Sequence, residues 1–307
     1  MQRFSQWLGE HFLRLGAIAE GLLVAMILGS SLVFIKIALV DLRPLTILAF
    51  RYVFACALLL PPVLYRRHLT GWSPQLWKRF LFIGLSFYVI GNGTLVLGVR
   101  YLPATTASLL LSFIPLLVLC AGLLWLKEVP TRGQLAGVLV NLVGCCLFFS
   151  SGFQPIELLG IGIIVLGLVG NAAYGVAGRD LARQQRVDTL ALTALPLTVG
   201  AAILLPLAFV FEGIPRFDGW TWGIVVVLAV IHTAGVYLLY NHALRVLAAF
   251  EMSVLVNLAP LATALWAWIL LGEQVSSIQL LGMVIVIVGA VLVQKGKSSQ
   301  TPGENEK

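Results

Sequence analysis

Charged side chains are scarce in this sequence. Asp, Glu, Lys and Arg together supply 11% of its 307 residues, against about a quarter in a water-soluble domain, so a surface suited to water is missing. Cysteine is nearly absent as well. Cys56, Cys120, Cys145 and Cys146 fall in apolar runs with neither CxxC nor zinc-type spacing, which implies neither a disulfide framework nor a metal. A GxxxxGK loop is lacking, excluding a pump with its own ATPase, and HExxH, GxSxG and paired intramembrane aspartates are lacking too. No catalytic residue, metal or cofactor is expected. The net charge of +7 is scattered in pairs and triplets rather than gathered into a stripe, so nucleic acid is not an expected partner.

Hydrophobic residues fill the gap, at 60% of the chain, more than a water-soluble core needs, and a lipid bilayer is the solvent they require. Mostly apolar runs lie at roughly 17–39, 45–65, 79–99, 104–126 and 133–151, then at 157–178, 189–211, 220–243, 249–271 and 277–294. Each is close to the roughly 20 residues that cross the hydrocarbon layer as a helix. None shows the alternation of barrel strands. The fold class expected is therefore an all-α polytopic membrane protein with ten transmembrane helices. A cytoplasmic N-terminus places 15 Lys and Arg residues inside and leaves Arg43, Arg100 and Arg216 outside, which puts both termini in the cytoplasm. Residues 1–16 are expected to form an interfacial helix with Phe4, Leu8, Phe12 and Leu15 on one side. Residues 295–307 read as a disordered cytoplasmic tail.

The most informative pattern is internal. Shifting the sequence by 145 residues sets Arg100–Phe148 against Arg245–Val293 with 15 identities in 49 positions, where roughly 5 are expected by chance. Ser108/Ser253, Pro115/Pro260, Glu128/Glu273, Gln134/Gln279, Gly137/Gly282 and Gly144/Gly289 are among the matches. Two repeats of five spans follow, over residues 17–151 and 157–294. An odd number of spans makes the second copy enter from the opposite side, so the halves are inverted, as in secondary transporters with a substrate site near the midplane.

Gly29-Ser-Ser-Leu-Val-Phe-Ile-Lys36, Pro44 and Arg51 resemble the opening of an EamA domain of the drug/metabolite transporter superfamily. So do Arg100 to Ser108, Pro115, Leu126-Lys-Glu128 and Gln134 to Gly137, repeated as Ala259-Pro260, Leu271-Gly-Glu273 and Gln279 to Gly282. The resemblance implies a ten-helix transporter in the cell membrane, of bacterial inner-membrane type. Such proteins commonly export metabolites, amino-acid-like compounds or toxic organic cations through a central cavity. The first helix departs from the pattern, with Leu28-Gly29 where many relatives have Trp-Gly.

Polar residues inside the apolar runs are the candidates for substrate contact. Lys36 and Arg51 are costly in hydrocarbon, and if they face the cavity they suit an anionic group. Alternatively they snorkel to the outer interface or pair with Asp41. Tyr88 and Asn92 lie four residues apart on one helix face, as do Thr233, Tyr237 and Asn241 in the other half, and the two stripes match under the 145-residue shift. They either orient a polar solute or only bridge neighbouring helices. Asn171 with Tyr174, and Trp266 with Trp268, are weaker versions of the same pattern. His232 is the mid-span group that titrates near neutral pH, a candidate for proton coupling, although its face is about 180° from Asn241. Pro115 and Pro260 are hinge candidates or static kinks. Gly133/Gly137 and Gly167/Gly170/Asn171/Gly178 are spaced for close helix approach. Glu128 and Glu273 read as caps at the N-terminus of the next helix.

These features point to a secondary transporter of a small molecule, with protons as a possible second partner and a homodimer left open. A non-transporting assembly or sensor subunit, and an importer, are the alternatives.

Overall fold

The computed structural model describes residues 2–65, 73–114, 116–117, 120, 131–150, 152, 154–183, 189–216, 219–243, 246 and 255–298. Among them every regular element is helical. In chain order these are α1 (Gln2–Ala38), α2 (Pro44–Tyr65), α3 (Pro74–Val99), α4 (Ala104–Leu111) and α5 (Arg132–Phe148). There follow α6 (Pro155–Arg183), α7 (Thr189–Glu212), α8 (Gly219–Ala243, in three joined pieces), α9 (Ala259–Leu271) and α10 (Ser277–Ser298). Six are long and apolar enough to cross a membrane, namely α1, α2, α3, α6, α7 and α8, while α5, α9 and α10 are shorter apolar helices. Their outward faces are greasy: Leu139 is 65% exposed and Val210 76%. An apolar exterior around a packed core suits lipid rather than water, and the chain is a multi-pass membrane protein.

Local sequence explains where the helices begin and end. Ser73 caps α3 through a bond from the Leu76 amide, with Pro74 in the first turn, where its missing N–H costs nothing. Thr131 and Gln134 form a reciprocal capping box on α5, and Ser276 and Gln279 form its counterpart on α10. Gly272, in the left-handed region at φ 67°, ends α9. The first sixteen positions are helical, in one element with the first span: α1 runs without a break from Gln2 to Ala38, and no proline interrupts it. Side chains of residues 1–12 lie outside the described set.

Close packing follows the glycines. A Cβ added at Gly137 would lie 2.6 Å from the Val293 amide nitrogen, and at Gly144 2.6 Å from that of Val286. The reverse holds too, since Gly282 meets Phe148 and Gly289 meets Asn141. One partner descends as the other ascends, so α5 and α10 cross antiparallel with backbone against backbone. Gly133, by contrast, has no interhelical neighbour that close. Elsewhere α2 packs on α7, α1 on α9 and α8, and α3 on α6 and α7.

Pro260 sits in the first turn of α9 rather than inside a continuous helix. The chain turns just before it, at Asn257–Leu258, and turns equivalently at Ser112–Phe113 ahead of Pro115. The clash of a proline ring with the preceding turn accounts for a break at that point. Pro115 itself lies outside the described residues.

Candidate functional site

Two helices depart from α-geometry. In α3 the segment Gly84–Gly91, and in α8 the segment Val230–Gly235, are wound as π-helix. Shifted by 145 residues, one falls on the other. Such insertions rearrange the backbone ladder and are frequent at functional positions. Side chains here bond backward by five residues: Asn92 Nδ2 donates to the Phe87 carbonyl at 3.1 Å, Thr233 Oγ1 to Leu228 at 3.0 Å, and His232 Nδ1 lies 3.3 Å from the Val227 carbonyl.

The second π-segment is where helices of both halves of the chain meet through polar groups. Arg51 of α2 lies along it. Its Nε donates to Thr233 Oγ1 at 2.7 Å, its Nη2 to the His232 carbonyl at 3.0 Å and its Nη1 to Ser31 Oγ of α1 at 3.3 Å. Tyr52, Tyr88 and Tyr237 stand close enough to this guanidinium to feel its charge. Tyr88 and Tyr237 lie within reach of one another, and the Tyr52 and Tyr88 rings meet edge to face at 5.3 Å. The imidazole of His232 turns instead toward α1, with Nε2 2.9 Å from Ser30 Oγ and the ring 5.3 Å from that of Phe34. The Ser30 hydroxyl also reaches the Ile27 carbonyl at 2.9 Å.

Of the candidates, Arg51, Tyr88, Thr233, Tyr237 and His232 come together here. Arg51 does not snorkel to the outer interface; it bridges α1 and α8. His232 and Thr233, adjacent in sequence, point to α1 and α2 respectively.

The remaining candidates are placed elsewhere. Asn92 is half-buried and spends its amide nitrogen on its own helix. Asn171 does the same on the Gly167 carbonyl at 3.0 Å, and its amide packs where a Cβ on Gly91 would sit. Lys36 pairs not with Asp41 but with Glu273 at 3.0 Å, and also donates to the Leu102 carbonyl. Asp41 instead accepts from Thr221 at 2.7 Å. Glu273 caps α4, through Ala104 and Thr105, rather than the helix that follows it. Glu212 caps α2 in the same way, through Leu45 and Thr46. Trp268 is 62% exposed on the outer face. The side chains of Tyr174, Asn241 and Glu128 lie outside the described residues.

Two contributors lie outside the candidate set, Ser30 and Ser31. Small hydroxyl residues inside an apolar run carry no cost large enough to mark them, yet a serine facing a histidine or arginine of a neighbouring helix is enough to join the two.

A bundle of apolar helices with a polar node where its two parts meet is the architecture of a membrane transporter. The chain belongs to the EamA-like transporter family, whose model matches residues 15–150 and again 153–294. It is 28% identical over 276 residues to an uncharacterized transporter of Archaeoglobus fulgidus, covering 88% of this chain and 94% of the relative. It is 25% identical to the uncharacterized transporter YcxC of Bacillus subtilis, over 94% and 96% of the two chains. A crystal structure at 19% sequence identity superposes with a TM-score of 0.67 over 93% of this chain and 99% of the other, which establishes likeness of fold.

Proposed function

We propose that the protein is a secondary transporter that exports a small metabolite by alternating access of two inverted five-helix halves, with ten spans and both ends in the cytoplasm. The observation that carries this reading is the pair of π-segments, 145 residues apart, at corresponding points of α3 and α8. In the two halves of an inverted repeat such points lie near the midplane, where rocking of one half against the other exposes a site to each side in turn. The antiparallel glycine contact of α5 with α10, reciprocal residue for residue, supports the same symmetry.

Arg51, Tyr88, Thr233 and Tyr237 form the solute site in this reading. His232 is the proton carrier. Its neutral ring donates from Nδ1 to Val227 and accepts from the Ser30 hydroxyl at Nε2. On protonation both nitrogens donate, and the hydroxyl turns to Ile27. Protonation thus switches one bond between α1 and α8 without breaking the contact.

Counterflow in proteoliposomes tests the reading, with amino acids, nucleobase-like metabolites, organic acids and organic cations offered under an imposed or collapsed pH gradient. Exchange of at least one class is the expected result. Silence across the whole panel would sink transport, and exchange indifferent to the gradient would remove the proton from it.

A further inference from the structure

We infer that the solute bound at this node is a monocarboxylate, held by Arg51; this deepens the transport reading above and rests on it. The argument begins with an imbalance of charge. Arg51 brings a full positive charge into the membrane-spanning part of the bundle, where an uncompensated ion is expensive. Its three bonds all go to uncharged oxygens, those of Thr233, Ser31 and the His232 carbonyl. Among the described side chains every carboxylate is committed elsewhere: Glu20 to His242, Asp41 to Thr221, Glu157 to the Gln154 amide, Glu212 to α2 and Glu273 to α4. No described side chain is therefore the counter-ion of Arg51.

The geometry of the unused donors indicates what would fit. A guanidinium has five N–H groups, and Arg51 spends one from each of its three nitrogens. One N–H remains on Nη1 and one on Nη2, two charge-assisted donors left over for the oxygens of a carboxylate. The contacts to Thr233 and Ser31 hold the group in place beforehand, so little side-chain entropy is left to lose on binding. Tyr88 and Tyr237 then supply ring surface and hydroxyls for the body of the solute.

Charge counting sets the specificity. Lys36 is neutralised by Glu273, which leaves Arg51 as the cation of the node while His232 is neutral, and favours one negative charge. An amino acid would bring an ammonium for which no described carboxylate is available. An organic cation would meet Arg51 with like charge.

Binding and exchange measured separately on the full-length protein give the test. Purified protein in detergent is titrated with a series of aliphatic, hydroxy and aromatic monocarboxylates, with alanine and with tetraethylammonium, and the same compounds are offered in counterflow. Monocarboxylates are expected to bind and exchange while alanine and tetraethylammonium do neither. Arg51→Gln should weaken monocarboxylate binding by at least about thirtyfold, because a desolvated charge partner is lost. Arg51→Lys, which keeps the charge but loses the fork, should weaken it by about tenfold. Thr233→Val, a milder change that guards against misfolding of the arginine variants, should weaken it by about fivefold. Binding without exchange would leave the anion site standing and refute transport. Exchange of cations or zwitterions without monocarboxylate binding would leave transport standing and refute the anion site, as would wild-type affinity in Arg51→Gln.

Discussion

The two π-segments have the same winding and opposite uses. In α3 the segment is bracketed by Gly84 and Gly91, and both are pressed against other helices. A Cβ at Gly84 would lie 2.6 Å from Val199 Cβ and 2.9 Å from the Pro196 carbonyl, and one at Gly91 2.7 Å from the Asn171 amide. Two polar groups here turn inward, Ser86 donating to Phe82 at 2.7 Å and Asn92, just past the segment, to Phe87, both on the same helix, while Tyr88 reaches out to the Tyr52 ring. At the matching positions α8 has Ala229 and Val236, and its polar groups look outward, His232 to α1 and Thr233 to Arg51 of α2. One copy closes by backbone contact and the other by side-chain bonds. A duplicated element has thus become mainly a packing joint in one half, lending Tyr88 alone to the site in this reading, and the source of most of the site's polar contacts in the other.

Substituting the glycines should separate the two uses most sharply. Gly170→Val on α6 would drive a side chain into the Ser86 carbonyl and the Gly91 backbone, and overpacking of this kind costs about 3 kcal/mol. Thermal unfolding in detergent should show that loss. Gly235→Ala in the α8 segment, whose added Cβ meets only the Val230 carbonyl at 3.2 Å, should change stability by no more than about 1 kcal/mol. Equal losses at both sites would mean that α8 is packed as tightly as α3, and the contrast drawn here would fail.

Polar deletions should give the opposite ranking in transport. Thr233→Val removes an acceptor from a charged donor, an interaction of about 1.5–3 kcal/mol, and exchange should fall by about tenfold or more. Asn92→Ala removes a neutral bond within one helix, worth about 1 kcal/mol, and should register mainly as lost stability. Rates from counterflow set beside melting temperatures for the same two variants decide the matter. A larger transport defect in Asn92→Ala would move the site to α3.

His232→Gln is a narrower probe. Glutamine keeps a polar group facing Ser30 but cannot carry a proton at neutral pH. Exchange without a pH gradient should fall by no more than about threefold, the cost of one imperfect neutral bond, while acceleration by an imposed gradient should disappear. Retained acceleration in this variant would take proton coupling away from the α1–α8 contact.

Much of this architecture was legible beforehand, for identifiable reasons. Apolar runs locate helices because lipid leaves few other options. Gly137 and the repeat-matched glycines Gly144, Gly282 and Gly289 are local signals, readable without knowing the partner. Arg51 stood out because a charge in hydrocarbon is rare, and the face shared by Thr233 and Tyr237 followed from helical spacing. The π-segments did not stand out, since an i to i+5 ladder has no composition of its own. Their effect is visible at His232: uniform α-helical spacing sets it apart from the Thr233/Tyr237 stripe, yet its carbonyl shares Arg51 with Thr233. Partners across the chain were equally hidden. Lys36 had Asp41 five residues away as the obvious mate, whereas Glu273 reaches it only once α1 and α9 pack together.

Lys36 supplies the smallest expected effect and the finest test of the comparison, because it is a second cation on the helix that carries Ser30 and Ser31. Its side chain is 31% exposed and that of Glu273 15%, so solvent screens the pair, and an exposed ion pair contributes roughly 0.2–1 kcal/mol. Glu273 keeps its bonds to Ala104 and Thr105 whether or not Lys36 is present. A double-mutant cycle of Lys36→Met with Glu273→Gln, read by thermal unfolding, should therefore give a coupling below about 1 kcal/mol. Monocarboxylate affinity in Lys36→Met should drop by no more than about threefold, since a cation already neutralised at the helix end attracts a distant anion weakly. A loss matching that of Arg51→Gln would show that both cations grip the solute. The site would then extend from the π-segment of α8 to the end of α1, and the favoured solute would carry two negative charges.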